Sequence, residues 1–173
     1  MPYRIRRSEI SDREILGKIH SQAWQETYAG MIPVEMLTRV GSVASRTEVR
    51  KAMFAKMTER HGHFLVESVK DEIVGFGDCG PAYKTNAFAP AEIYALYVLR
   101  HAQNKGLGKA LLDKMLEHLS LQGFNKAGLK VHINNFRAQG FYQHSGGEKI
   151  GQITDGDGEQ EFVYVWNDLK ISE

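Results

Sequence analysis

Apolar and polar positions divide the chain into segments of two different periods. Tyr3 to Arg7 is short and predicts an edge strand. Ser11 or Asp12 then opens a stretch in which Leu16, Ile19, Ala23, Trp24 and Thr27 recur at spacings of three and four. That spacing puts one apolar face along a helix, with Glu14 in its first turn. Met31 to Thr38 and Ala44 to Arg60 are further helical segments. The pattern then becomes that of strands. Gly62 to Val69 and Glu72 to Gly80 read as two strands joined by a hairpin turn at Lys70-Asp71. The irregular segment Pro81 to Pro90 leads to Ala91-Glu92-Ile93-Tyr94-Ala95-Leu96-Tyr97-Val98, a β-rich run with few charges that predicts a central strand. Gly108 to Gln122 is helical, with Leu111, Leu112, Met115, Leu116 and Leu119 as its stripe and Gly123 as its stop. Ala127 to Ile133 is a strand and Asn135 to His144 a short helix ended by Ser145-Gly146-Gly147. Two last strands, near Glu148–Ile153 and Glu161–Asn167, flank the turn Asp155-Gly156-Asp157-Gly158.

Helices, then an antiparallel meander, a strand–helix–strand crossover and a closing hairpin imply an α+β fold, three layers built on a mixed sheet. No repeat, low-complexity block or Pro/Ser-rich linker divides residues 1–173, so one domain is expected. The 22 basic and 21 acidic side chains nearly cancel, so no long-range field recruits nucleic acid or an anionic membrane. Cys79 stands alone, which excludes an internal disulfide and a cysteine-based zinc site. Met1-Pro2-Tyr3-Arg4 has no apolar signal core, and no apolar run approaches membrane-spanning length. A cytoplasmic enzyme or binding domain is the expectation.

Three glycine-rich stretches are candidates for ligand chemistry. Gly75-Phe76-Gly77-Asp78-Cys79-Gly80 matches G-x-G-x-x-G, but it lies inside a predicted strand and Pro81 follows, where a dinucleotide fingerprint must open a helix. Small residues facing a helix or ligand explain it better. Asp155-Gly156-Asp157-Gly158-Glu159 has Gln160 and Trp166 where a calcium loop needs glycine and an acid, so it reads as a hairpin turn. His61-Gly62-His63 lacks a third ligand at metal spacing and reads as a solvated helix-to-strand junction; no metal is expected. The third glycine stretch, Gln103-Asn104-Lys105-Gly106-Leu107-Gly108, lies between the central strand and an amphipathic helix. Glycines there let the main chain approach a ligand, and the unpaired N–H groups at the helix start favour an anion. Lys105 and Lys109 add positive charge. It is not a Walker A loop, because Gly108-Lys109-Ala110 lacks the Ser/Thr.

In that context the segment Glu92 to Gly146 resembles the GNAT superfamily of acyl-CoA-dependent N-acetyltransferases. Arg100 and the loop after the Ala91–Val98 strand fit the Q/R-x-x-G-x-G/A signature. Asn135-Phe136-Arg137-Ala138 is similar to N-x-x-A, and Phe141-Tyr142 with Gly146 is similar to F-Y-x-x-x-G-F. Trp24, Tyr28, Gly30 and Pro33 match a subset of family members more softly. The resemblance implies a three-layer α/β/α fold with a mixed, mostly antiparallel, splayed central sheet of about seven strands. It implies that main-chain groups of Leu96, Tyr97 and Val98 pair with the pantetheine arm of acetyl-CoA in a gap before the Ala127–Ile133 strand. Gln103, Asn104, Lys105, Gly106, Leu107, Gly108 and Lys109 would bind the cofactor, with the amides from Asn104 to Lys109 on the pyrophosphate. Asn135 would hydrogen-bond the cofactor, and Tyr142 would stand near the sulfur as general acid. Two departures stand out. Gly146-Gly147 replaces glycine plus a large apolar residue, loosening a packing contact. Lys130 stands where the ribosomal-protein alanine acetyltransferases carry an acidic base, which sets that substrate class apart.

Acetylating an amine needs a proton acceptor, because alkyl amines are mostly protonated at neutral pH and only the neutral form attacks. Glu92, at the start of the cofactor-binding strand, is the candidate base, directly or through water. Trp24, Tyr28, Met31, Gly77, Asp78 and Tyr83 are candidates for an acceptor pocket, with Asp78 as the attraction for a cationic amine. A small-molecule amine is the leading acceptor. A protein N-terminus or lysine, and a non-catalytic acyl-CoA sensor, are the alternatives; Glu92 and Tyr142 together argue against the sensor. A homodimer is compatible with the implied fold.

Overall fold

A computed structural model describes residues 2–83 and 88–169. The chain runs β1 (Tyr3–Arg7), α1 (Arg13–Tyr28), α2 (Val34–Val40), α3 (Val43–Ala55), β2 (Gly62–Ser68), β3 (Ile73–Pro81) and β4 (Ala91–Val98). It continues through α4 (Leu107–Leu121), β5 (Lys126–His132), α5 (Phe136–His144), β6 (Glu148–Thr154) and β7 (Gln160–Asn167). The strands form one seven-stranded sheet in the order β1-β2-β3-β4-β5-β7-β6. Every neighbouring pair is antiparallel except β4 and β5, which the crossover through α4 makes parallel. The expected class, layering and strand number therefore hold. Of the expected irregular segment Pro81 to Pro90, residues 84–87 lie outside the described residues.

Alternation along β2 and β3 divides the core between the two faces of the sheet. Phe64, Val66 and Val74 join the α4 stripe of Leu111, Leu112, Met115 and Leu119 in one cluster. Leu65, Ile73 and Phe76 pack on the other face against Leu16 of α1 and Phe54 of α3. Helix boundaries differ from expectation by one to a few residues, α4 running from Leu107 to Leu121. The second helix starts at Val34 because Pro33, with no N–H to donate, sits at its entry. The third begins after Ser42, whose hydroxyl accepts the Ser45 N–H at 3.1 Å, and it ends at Ala55 rather than Arg60. The fifth begins one residue late because Asn135 is its cap.

The glycines of β3 serve packing. A Cβ at Gly77 would fall 2.8 Å from the Met115 sulfur, and one at Gly75 would fall 2.8 Å from the Tyr97 carbonyl oxygen. The hairpin turns take up positive φ, +59° at Asp71 and +85° at Gly158. Gly147 corrects the expectation of a loosened contact after Tyr142. A Cβ there would lie 2.9 Å from the Trp166 ring, so β7 fills the space that the family pattern gives to a side chain on the α5–β6 connection.

Candidate active site

The site grows from a defect in the sheet. On its β3 side, β4 carries a bulge, with Asp78 opposite Ala95 and Cys79 opposite Ile93, so that Tyr94 is the extra residue. A bulge bends its strand and sharpens the twist. On the other side β4 pairs with β5 only at Ala91–Ala127 and Glu92–Gly128. Beyond Glu92 the two strands part, leaving the outer edge of Ile93 to Val98 without ladder partners among the described residues. Such an edge can receive an extended ligand that carries amides.

A cavity of about 650 Å³ occupies the gap. Ile93 to Val98 form one wall and Leu129 to Val131 another. The turn after β4 and the first turn of α4 close one end, and Asn134 to Ala138 with Phe141 and Tyr142 form the third side. Gly106 sits at the α4 N-cap with φ +77°, so the helix has no side-chain cap and its first amides remain free for a ligand. Asn104 also has positive φ, +61°, and Arg137 Nη2 donates to its Oδ1 at 3.0 Å, tying the loop to α5. Gln103 Nε2 donates to the Val98 carbonyl at 2.8 Å. The Arg100 main-chain N–H donates to Glu26 Oε2 at 2.7 Å, which fixes the end of α1 beside the turn.

The loop charges are less free than the sequence suggests. Lys105 is not part of the cavity wall; its ammonium turns away and donates to the Tyr3 hydroxyl at 2.9 Å. Lys109 does line the cavity but pairs with Asp113 one turn on, at 2.6 Å. What the loop offers a ligand is therefore mainly main chain, the amides of the first turn of α4. Asn135 lines the cavity too, yet its side-chain oxygen accepts the Ala138 N–H at 3.1 Å, which leaves its amide nitrogen to face a ligand.

Tyr142 is buried among Phe141, Tyr164 and Trp166 and lines the same cavity. Burial pushes its phenol well above the ordinary 10, so it stays protonated. Glu92 is 3 % exposed, with its Oε1 3.6 Å from Lys130 Nζ.

A second cavity of about 330 Å³ adjoins the first and contains Glu92 together with Trp24, Ile32, Tyr83, His132 and Glu161. Tyr28, Ile93, Tyr94, Tyr97 and Lys130 line both cavities. The Tyr28 and Tyr97 hydroxyls are 3.1 Å apart, a hydrogen bond between α1 and β4 within this shared wall. Both tyrosines are held above the ordinary phenol range, first by burial.

The sequence model of the acetyltransferase (GNAT) family matches residues 22–146. The chain belongs to that family. An uncharacterized N-acetyltransferase, YuaI, of Bacillus subtilis (strain 168) is 27% identical over 148 residues, which are 86% of this chain and 82% of that protein. Among solved structures, the PaiA N-acetyltransferase of Thermoplasma acidophilum, in complex with coenzyme A, superposes with TM-score 0.74 at 22% identity over 96% of this chain and 99% of its own. The spermidine N-acetyltransferase of Vibrio cholerae, in complex with coenzyme A and spermine, does so with TM-score 0.66 at 17% identity over 96% of each chain. This GNAT chain is accordingly an acyltransferase of coenzyme A chemistry. Its residues fit that group: an open strand edge, a glycine-started helix with free amides, and a cavity joining them.

Trp24 and Tyr28, candidates for acceptor contact, do meet at the second cavity of this GNAT chain, their rings 4.8 Å apart. Met31 lines the first cavity and Tyr83 the second. Gly77 faces Met115 instead. Asp78 lines neither cavity and is 1 % exposed. Its carboxylate is occupied by Arg50 Nη1 at 2.8 Å and His63 Nδ1 at 2.7 Å, so it holds the core together rather than meeting an amine. His63 corrects the reading of a solvated junction: it is buried beneath Phe54, and only His61 is partly exposed. No group of three or more His, Cys, Asp or Glu able to hold a metal occurs among the described residues. Nor is any described helix long and apolar enough to cross a membrane. Lys130, His132, Glu159 and Glu161 join the second cavity although no motif in the chain points to them there. They lie on β5, on β7 and just before it, and become neighbours of Glu92 only through the sheet. The one signal in the chain is charge within otherwise apolar strands.

Proposed function

We propose that this protein transfers the acetyl group of acetyl-CoA to a primary amine of a small molecule, by direct attack in a ternary complex. The observation that carries the reading is the wall of Tyr28, Ile93, Tyr94, Tyr97 and Lys130 shared by the two cavities. A donor in the larger cavity and an acceptor in the smaller one meet there without passing through the protein, as a near-attack geometry requires. The donor thioester supplies an activated acetyl carbon.

Main-chain groups of Leu96, Tyr97 and Val98 hold the pantetheine arm along the open edge of β4, and an N–H of this edge polarises the thioester carbonyl. The amides of Gly106 to Lys109 hold the pyrophosphate. Glu92, which faces the acceptor cavity, receives the proton that the amine gives up, directly or through water. Tyr142, kept protonated by burial, donates to the leaving thiolate from the donor cavity. The volume of the acceptor cavity, about 330 Å³, is on the scale of a small organic ligand.

The test is thiol release from acetyl-CoA across a panel of small amines, amino acids and peptide N-termini. Turnover with small amines supports the reading. Turnover confined to peptides redirects the acceptor, and firm coenzyme A binding without turnover on any amine removes the catalytic reading.

A further inference from the structure

The acceptor cavity contains one charged side chain that the transfer chemistry leaves without a task. Besides Glu92, three carboxylates line it: Asp155, Glu159 and Glu161. Glu92 stands by Lys130. Glu159 meets His132 Nε2 at 2.9 Å. Asp155 Oδ1 accepts the Asp157 and Glu159 N–H groups at 2.9 and 2.8 Å and so holds the β6–β7 turn. Glu161 differs. It is half-buried, and among the described residues its carboxylate makes no ion pair or side-chain hydrogen bond. Withdrawing a carboxylate from water without a partner is costly, and here it favours the protonated form. Burial holds this carboxyl above the usual range; Asp155 and Glu92 add to that, while Lys130 and His132 oppose it. A cation entering the cavity is what this group lacks.

Its position says which cation. Glu161 is opposite His132 on β5 and Ile153 on β6, so it stands at the hairpin end of the cavity. It reaches the cavity from β7, with β5 between it and Glu92 on β4, whereas an attacking nitrogen must reach both Glu92 and the wall shared with the donor. A positive charge seated on Glu161 is therefore a second charge on the acceptor, away from the nitrogen that reacts. The charged and titratable groups around it are Glu92 from β4, Lys130 and His132 from β5, Asp155 from the turn and Tyr28 from α1. The carboxylates among these and Glu161 itself outnumber the two bases.

We infer that Glu161 is the specificity-determining residue of the acceptor cavity, binding a second ammonium group of an acceptor that is at least a diamine. This rests on the acetyl-transfer reading for the identity of the reacting amine, but the binding itself is testable apart from transfer. The experiment is a calorimetric titration of 1,3-diaminopropane and of propylamine into coenzyme A-saturated protein, with thiol release from acetyl-CoA measured in parallel. The wild type should bind the diamine at least about tenfold tighter than propylamine, in keeping with one charge-assisted hydrogen bond. Glu161→Gln should lose roughly that preference while binding coenzyme A as before. Glu161→Asp, which keeps the charge on a shorter reach, should restore part of it. Coenzyme A binding also shows that each variant is folded. A wild type without the preference, or a Glu161→Gln protein that keeps it, overturns the inference. Glu161-dependent diamine binding without thiol release retains the inference and removes the transfer reading; thiol release from both amines with no role for Glu161 does the reverse.

Discussion

Glu92 of β4 and Lys130 of β5 face each other at 3.6 Å just where the two strands part. Lys130 also lies on the wall common to both cavities, so the pair marks the junction at which donor and acceptor would meet. Retaining a charged side chain in so closed a place is costly unless a partner of opposite sign stands beside it, and the splay supplies that partner from the neighbouring strand.

Glu92→Gln keeps the shape of the side chain and removes its ability to take a proton. With Glu92 as the proposed acceptor of the amine proton, kcat/KM should fall by roughly 10²- to 10³-fold. The acidic limb of the pH–rate profile should flatten, while coenzyme A affinity stays near the wild-type value. A preserved acidic limb would assign the proton to another group.

Tyr142→Phe removes one hydroxyl from the wall of the donor cavity and leaves the ring packed against Tyr164 and Trp166. The expected result is a fall in kcat of roughly 10- to 100-fold, with little change in coenzyme A binding by calorimetry. Unchanged turnover would show that the thiolate leaves without help from Tyr142.

Gly106→Val tests the loop. Apart from its chain neighbours, no atom of the described residues comes within 4 Å of a Cβ at this position, so the strain comes from φ +77°. A β-branched residue there costs about 1–2 kcal/mol or forces the turn to change, and it places methyl groups where the ligand would approach. Coenzyme A affinity should fall at least about tenfold, equivalent to about 1.4 kcal/mol. Gly158→Val, with a similar φ of +85° in the β6–β7 turn, is the control: it should lose comparable stability and keep coenzyme A affinity. Equal effects of the two substitutions on affinity would remove the loop from the binding site.

Asp78→Asn leaves the Arg50 guanidinium buried without its counter-ion. Urea denaturation near neutral pH should show a loss of about 3–5 kcal/mol. Burial alone would raise the Asp78 carboxyl, but Arg50 and His63 outweigh it and hold it at about 2, below its ordinary 3.8. A carboxyl held low in the folded chain contributes stability above its unfolded value and loses it as pH falls toward the folded one. The gap between wild type and variant should therefore be flat from about pH 5 to 7 and narrow between about pH 4 and 2. A gap independent of pH would place the effect in packing instead of charge.

The sequence by itself determined every strand and helix of the order, the parallel crossover and the loop at Gly106. These follow from short-range causes: period along the chain, turn chemistry and the conformations open to glycine. The motifs that contain Glu92, Tyr142 and the Leu96–Val98 segment lie close together in the chain, and the fold sets these residues around the two cavities. The sequence misjudged groups whose fate depends on distant partners. Asp78, on β3, carries no mark of Arg50, which lies on α3. The direction in which Lys105 turns depends on Tyr3, 102 residues away. The emptiness after Gly146 is filled by a tryptophan from the last strand. The smaller cavity is the furthest case, since Trp24, Glu92, Lys130 and Glu161 reach it from four elements. Only the sheet order β4-β5-β7, together with the bulge that bends β4 away from β5, makes them neighbours. Short-range periodicity specifies which face a side chain occupies; it takes the assembled sheet to specify what stands opposite.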